Sequence, residues 1–149
     1  METAIDLKSL YVKDEHLWLM ENSKLLREGK WEEADLENIA EILEDMGKRD
    51  LREVVSRMKV LLIHLLKWIY QAEERSSSWK GTIRHQRDEL HSMFEDSTHL
   101  KMHAKETFNK SYQKAREIAS DETGFPLSHF PKEPPFAFEQ VIEENYLPE

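Results

Sequence analysis

The sequence predicts an all-α fold, a single-domain bundle of about five helices over residues 1–149 with a Pro- and Phe-rich C-terminal strap. Three observations carry that reading. Apolar residues recur at helical spacing through most of the chain. Glycine and proline are scarce, at four and five, which argues against a sandwich or barrel. The stretch from about Lys48 to Tyr70 is apolar on nearly every side in its second half, the mark of a helix buried by several neighbours.

The first helix is expected from about Leu7 to Arg27, with Leu7, Leu10, Tyr11, Leu17, Trp18 and Leu25 on one face and Gly29 as its stop. Asp14 and Glu21 fall inside the same stripe, an unusual place for a carboxylate. A second helix is expected from near Trp31 to Met46, turning Leu36, Ile39, Ala40, Leu43 and Met46 inward with Glu44 beside them. Gly47 marks a break or kink, and the third helix follows over about Lys48 to Ala72. Its main face is Leu51, Val54, Val55, Met58, Leu62, Leu65 and Ile69. Ser76-Ser77-Ser78 supplies a cap for a fourth helix, about Ser78 to Glu95, facing inward with Trp79, Ile83, Leu90, Met93 and Phe94. Gln86 lies within that stripe and Arg87 on its border. A fifth helix, about His99 to Glu122, has an inner face of small residues, which suits close approach to a neighbour. Gly124 and Pro126 end the regular helices. The segment from Phe125 to Phe138 holds four of the five prolines and four phenylalanines, with a short helix after it from about Ala137 to Asn145.

Composition narrows the chemistry. With no cysteine, disulfides, thiolate catalysis and Cys-based zinc sites are excluded. Residues 1–8 lack the basic-then-apolar pattern of a signal peptide, and the run from Val60 to Tyr70, interrupted by His64 and Lys67, is too short to cross a bilayer. A cytoplasmic, non-membrane protein is therefore expected. The net charge of −9 conceals a division. Residues 1–46 carry 5 basic and 13 acidic side chains, residues 47–87 carry 10 and 4, and residues 88–149 carry 6 and 13. The basic middle is interleaved with the most apolar stretch of the chain. That favours an inner layer neutralised by acidic neighbours over a nucleic-acid surface.

Several segments, taken together, resemble one bacterial family, abundant in cyanobacteria and catalogued as domain of unknown function number twenty-nine. They are Tyr11-x-x-Asp14-x-x-x-Trp18, Leu25-Leu26-Arg27-Glu28-Gly29, Leu36-Glu37-Asn38-Ile39-Ala40-Glu41, and Leu61-Leu62-Ile63-His64-Leu65-Leu66-Lys67-Trp68. Ser78-Trp79-x-x-Thr82-Ile83-x-x-Gln86-Arg87, Ala115-Arg116, Glu122-Thr123-Gly124, and Phe130-Pro131 with Pro134 complete the set. The resemblance runs through nearly the whole chain in order. It implies a helical bundle and no established activity. One departure is Ile42, where the family pattern shows a second Glu after Glu41, and this weakens any role for a carboxylate pair there.

The residues most worth testing are polar groups on inward stripes: Asp14, Glu21, Glu44, Arg57, His64, Gln86 and Arg87, with Trp68 on the edge that Arg57 and His64 share. Such groups are costly to bury unpaired. The favoured reading is structural, with the acids of the first two helices neutralising Arg57 and Arg87. An Arg57–Asp14 pair of that kind implies a loss of a few kcal/mol on Arg57→Met. The competing reading is a pocket for an anionic or hydrogen-bonding ligand. His64 alone reads as a hydrogen-bonded core group.

His99 and His103, at i and i+4, with His64 from another helix, form the candidate metal set. The pair projects to the rim of the small-residue stripe, so no metal and no other cofactor is assigned. No catalytic residue is assigned either: there is no Gly-x-Ser-x-Gly elbow and no Gly-rich phosphate loop. Trp79, Lys80, Arg84, His85 and Arg87 combine aromatic and basic groups, but a pI near 5.3 opposes nucleic-acid binding. The functional expectation is a non-catalytic binding or protein-interaction module, its partner a protein or, as a homodimer, a second copy of the chain. The alternative is a metal- or small-molecule-dependent enzyme built around His64.

Overall fold

The computed structural model describes residues 6–149, and every regular element among them is helical. The α-helices are α1 Leu7–Lys13, α2 Glu15–Arg27, α3 Leu36–Tyr70, α4 Ser77–Asp96, α5 Thr98–Glu106, α6 Phe108–Thr123 and α7 Phe138–Ile142. Single 3₁₀ turns lie at Trp31–Glu33, Ala72–Glu74 and Leu127–His129. The chain divides into two compact units, Met1–Lys48 and Arg49–Glu149, and α3 runs through the border between them.

These bounds correct the expected elements at three places. The first helix is broken at Asp14, whose backbone is non-helical (φ −151°, ψ 85°) and whose carboxylate accepts from the Leu17 N–H at 3.1 Å. An Asp that looks misplaced on an apolar stripe is here an N-cap. The expected second and third helices are one helix of 35 residues. Gly47 interrupts nothing, because a helical glycine costs only about 1 kcal/mol relative to alanine, and the residues around it are strong helix formers. The expected fifth helix is two, α5 and α6. They are separated at Thr107 (φ −94°, ψ 4°), whose hydroxyl donates to the His103 carbonyl at 2.7 Å.

In the N-terminal unit, α2 ends where Gly29 takes a positive φ of 74°. The Lys30 N–H returns to the Leu25 carbonyl and the Gly29 N–H to Leu26, a Schellman stop. The chain then turns through Trp31–Glu33 to Asp35, which precedes α3. Among the described residues of this unit, Trp18, Asn22 and Asp35 are buried. The inward face expected for the second helix is a correction: Leu36, Leu43 and Met46 are exposed, as is Glu44. Helical spacing marks which side of a helix can be buried, but α1 and α2 are too few to cover it.

The C-terminal unit holds the main core. Val54, Met58, Leu61, Leu62, Leu65 and Leu66 of α3 are fully buried. They join Ile83, Leu90 and Phe94 of α4, and Ala104, Ala115 and Ala119 of the small-residue face of α5 and α6. The segment after Gly124 (φ 76°) contributes Phe130, Phe136, Phe138, Val141 and Ile142 to the same cluster. Tyr112 is buried with its hydroxyl donating to the Pro131 carbonyl, and burial pushes its phenol up to about 12. Arg116 Nε donates to the Phe130 carbonyl at 3.0 Å and Gln113 to that of Lys132 at 2.7 Å. None of the described helices is long and apolar enough to cross a membrane.

Candidate functional site

The polar residues singled out in the sequence divide between the two units. Asp14 caps α2, Glu21 is half-buried on α2, and Glu44 is exposed on α3. In the C-terminal unit, Arg57 and Gln86 meet: Arg57 Nη1 donates to Gln86 Oε1 at 3.1 Å. The carboxylates beside Arg57 are Glu53 on its own helix at 3.0 Å and Glu89 on α4 at 3.7 Å. Asp14 directs its carboxylate to the start of α2, so the expected Arg57–Asp14 pair gives way to these partners. Because the Arg57 side chain keeps 24% of its exposure, its ion pairs are solvent-screened. Arg57→Met is accordingly expected to cost about 1 kcal/mol or less; a drop of several kcal/mol in urea-melt stability would contradict that.

His64 is half-buried, and its Nδ1 donates to the Val60 carbonyl at 2.8 Å, one turn back on the same helix. His99 is exposed and His103 half-buried on α5. Among the described residues no three side chains of His or carboxylate type converge as a metal site would require. Trp68 is buried, with the Arg75 guanidinium 4.8 Å and the Lys80 ammonium 5.7 Å from its ring centre.

Arg87 is 2% exposed. Its Nε donates to the Val141 carbonyl at 2.8 Å and its Nη1 to that of Glu144 at 3.4 Å, so a buried cation fastens the C-terminal segment to α4. Burial lowers its pKa, partly offset by Glu143 and Tyr146. His91, one turn on, donates from Nε2 to the Ile142 carbonyl at 2.6 Å. A carbonyl only accepts, so this ring nitrogen carries the proton.

Sequence reasoning missed a second polar cluster, in the N-terminal unit. Trp18 Nε1 donates to Asp35 Oδ2 at 3.0 Å, and the Asn38 amide donates to the same oxygen at 2.7 Å. Asn22 closes the ring, accepting from the Asp35 backbone N–H and donating to the Trp18 carbonyl, both at 2.8 Å. Burial raises the Asp35 pKa, but the hydrogen bonds from Asn38 and Trp18 outweigh it and the net shift is downward. The available signal was an Asp at the head of a helix with an Asn three residues on.

Beside this cluster lies a groove between α2 and the start of α3, about 340 Å³ and almost wholly apolar, walled by Trp18, Leu19, Leu26, Ile39, Leu43 and Met46. Of the eleven exposed large apolar side chains among the described residues, nine belong to this unit. Single exposed leucines are ordinary, and it is their concentration in one unit that is unusual. The groove offers contact area and no cluster of reactive groups: its one charged member is Arg27.

No curated protein and no solved structure matches the chain. A family does. Residues 10–147 match the family described as Domain of unknown function DUF29, and because that span covers α2 to α6, the groove and the Arg87 tether alike, the chain belongs to that family.

Proposed function

We propose that the chain is a non-catalytic interaction module of the cytoplasm whose N-terminal unit receives an amphipathic helix of a protein partner, with basic residues beside the partner's apolar face. The observation that carries this reading is the apolar α2–α3 groove, in whose walls Leu19, Leu26, Leu43 and Met46 are exposed. An open apolar seam between two helices accepts a third in the manner of helix-in-groove recognition. Charge supports the choice of partner: residues 1–46 carry 13 acidic against 5 basic side chains, a field that favours and steers a basic ligand. The rival reading, an enzyme around His64, needs reactive groups converging on that ring, and the partner recorded for it is a backbone carbonyl.

Leu26 and Leu43 are exposed on opposite walls of the groove, so Leu26→Glu with Leu43→Glu should leave folding intact while placing like charge in the seam. The test is capture from the host with wild type and double variant. The helix of each captured protein is then titrated as a synthetic peptide against both. Burying two leucines contributes about 3 kcal/mol or more, so the variant should bind the basic helix at least about 100-fold more weakly. Equal binding by the two proteins refutes the groove as the site. A wild-type homodimer that the same substitutions dissolve refutes the basic helix and gives the seam to a second copy.

A further inference from the structure

Four cations gather along one edge of α4 and the turn that precedes it, with Glu143 close enough to act on Arg87. Arg75, Lys80, Arg84 and Arg87 have no ion pair among the described residues, in a chain whose net charge is −9. Arg75 and Lys80 flank the same indole, Trp68, and Arg75 is held there by its Nε donating to the Trp68 carbonyl at 2.7 Å. Lys80, Arg84 and Arg87 then line a recess of about 240 Å³ between α4 and residues 144–147.

Arg87 supplies an independent observation. It is 2% exposed, and with Nε and Nη1 given to backbone carbonyls, its Nη2 is buried with no hydrogen-bond partner. Guanidinium N–H groups are strong donors, and leaving one orphaned in the interior is unfavourable unless something comes to accept from it. The recess is graded: exposed Lys80 and Arg84 at the mouth, Ile83 and Leu147 as apolar wall, Asn145 as an amide, and buried Arg87 behind them. Glu144 is the single carboxylate among its lining residues, and its backbone carbonyl is already bound to Arg87.

We propose that this recess is a binding site for a small molecule bearing an oxyanion, a phosphate or paired carboxylates, held by Lys80, Arg84 and Arg87. Three cationic side chains lining so small a volume suit a compact anion, because fork-shaped guanidinium groups grip phosphate and carboxylate with two parallel bonds. At about 240 Å³ the recess is smaller than the pockets that hold drug-sized ligands, and a nucleic-acid strand needs an open track with stacking faces instead. The site lies wholly in the C-terminal unit and is independent of the α2–α3 groove.

Isothermal titration of the full chain with pyrophosphate, with citrate and with a single-stranded DNA oligonucleotide, all at fixed ionic strength, tests it. Saturable binding of pyrophosphate or citrate is expected, weakened at least tenfold by Arg84→Gln and likewise by Lys80→Gln. Both positions are exposed, so the variants should melt as the wild type does; if one misfolds, the other carries the test. Tighter pyrophosphate binding identifies phosphate as the natural group, and tighter citrate binding identifies paired carboxylates. The proposal falls if neither anion binds beyond the effect of matched chloride. It falls equally if the variants bind as well as the wild type, or if the DNA binds more tightly than both small anions.

Discussion

Asp35→Ala is expected to destabilise the N-terminal unit by about 3 kcal/mol at neutral pH. Hydrogen bonds to a charged group contribute about 1.5–3 kcal/mol each, and Asp35 accepts two, from Trp18 Nε1 and the Asn38 amide. Removing the carboxylate leaves the Trp18 N–H without a partner in a side chain that is 1% exposed. Among its described residues the unit buries only Trp18, Asn22 and Asp35, so the ring of hydrogen bonds carries much of its interior. Faster amide exchange through α2, with protection retained in α4 and α6, is the expected pattern, since local opening need not spread to the larger core. Unchanged exchange in α2 would show that the ring of hydrogen bonds is dispensable. Acid supplies a second measurement. The folded pKa of Asp35 lies below the ordinary value of 3.8. Its contribution is therefore complete above 3.8 and lost as pH falls through the lower folded value. The gap between wild type and Asp35→Ala should be constant near neutrality and close in acid below about pH 4.

Leu62→Ala and Leu43→Ala, the same change on the same helix, should differ by several kcal/mol. Leu62 is fully buried in the main core, and Leu→Ala at such a site costs about 2–5 kcal/mol through lost transfer energy and the cavity left behind. Leu43 is 63% exposed, so its truncation should move stability by less than about 0.5 kcal/mol. Urea unfolding of the two variants decides it. A large loss at Leu43 would mean that the apolar face of residues 36–46 is covered in solution.

This contrast shows what helical periodicity conveys. The pattern Leu36, Ile39, Leu43, Met46 is as regular as that of Val54, Met58, Leu62, Leu65, and the two read alike in sequence. Ile39, Leu43 and Met46 of the first line the open groove beside α2, whereas the second lies in the cluster shared with α4, α5 and α6. Periodicity records a capacity for burial, and whether a neighbour arrives depends on residues far along the chain, here Leu90, Ala115 and Val141.

Element ends were legible where a side chain announced them. Ser76 accepts from the Trp79 N–H at the start of α4, and Gly29 and Gly124 adopt the positive φ that stops α2 and α6. Asp14 was equally informative, but its position on an apolar stripe drew attention to pairing and away from capping. Gly47 misled in the opposite direction, because glycine ends a helix only when the backbone turns left-handed there. Of the polar residues, the burial of Arg87 follows from its place at the border of the inward stripe, and the Arg57–Gln86 contact does not. Nor do the partners of Arg87: Val141 and Glu144 lie 54 and 57 residues away and offer backbone carbonyls, which no side-chain pattern reveals.

The order in which this core is assembled has a consequence during synthesis. The apolar half of α3 is complete by Tyr70, yet the groups that cover it include Tyr112, Phe130, Phe138 and Val141, near the end of the chain. At ribosomal speeds of about 5–20 residues per second, the stretch from Leu61 to Trp68 waits several seconds for its cover. A nascent chain stalled after α4 presents a sticky rod to its surroundings, which makes it a natural client for a holding chaperone and a fragment prone to aggregate when truncated before residue 130.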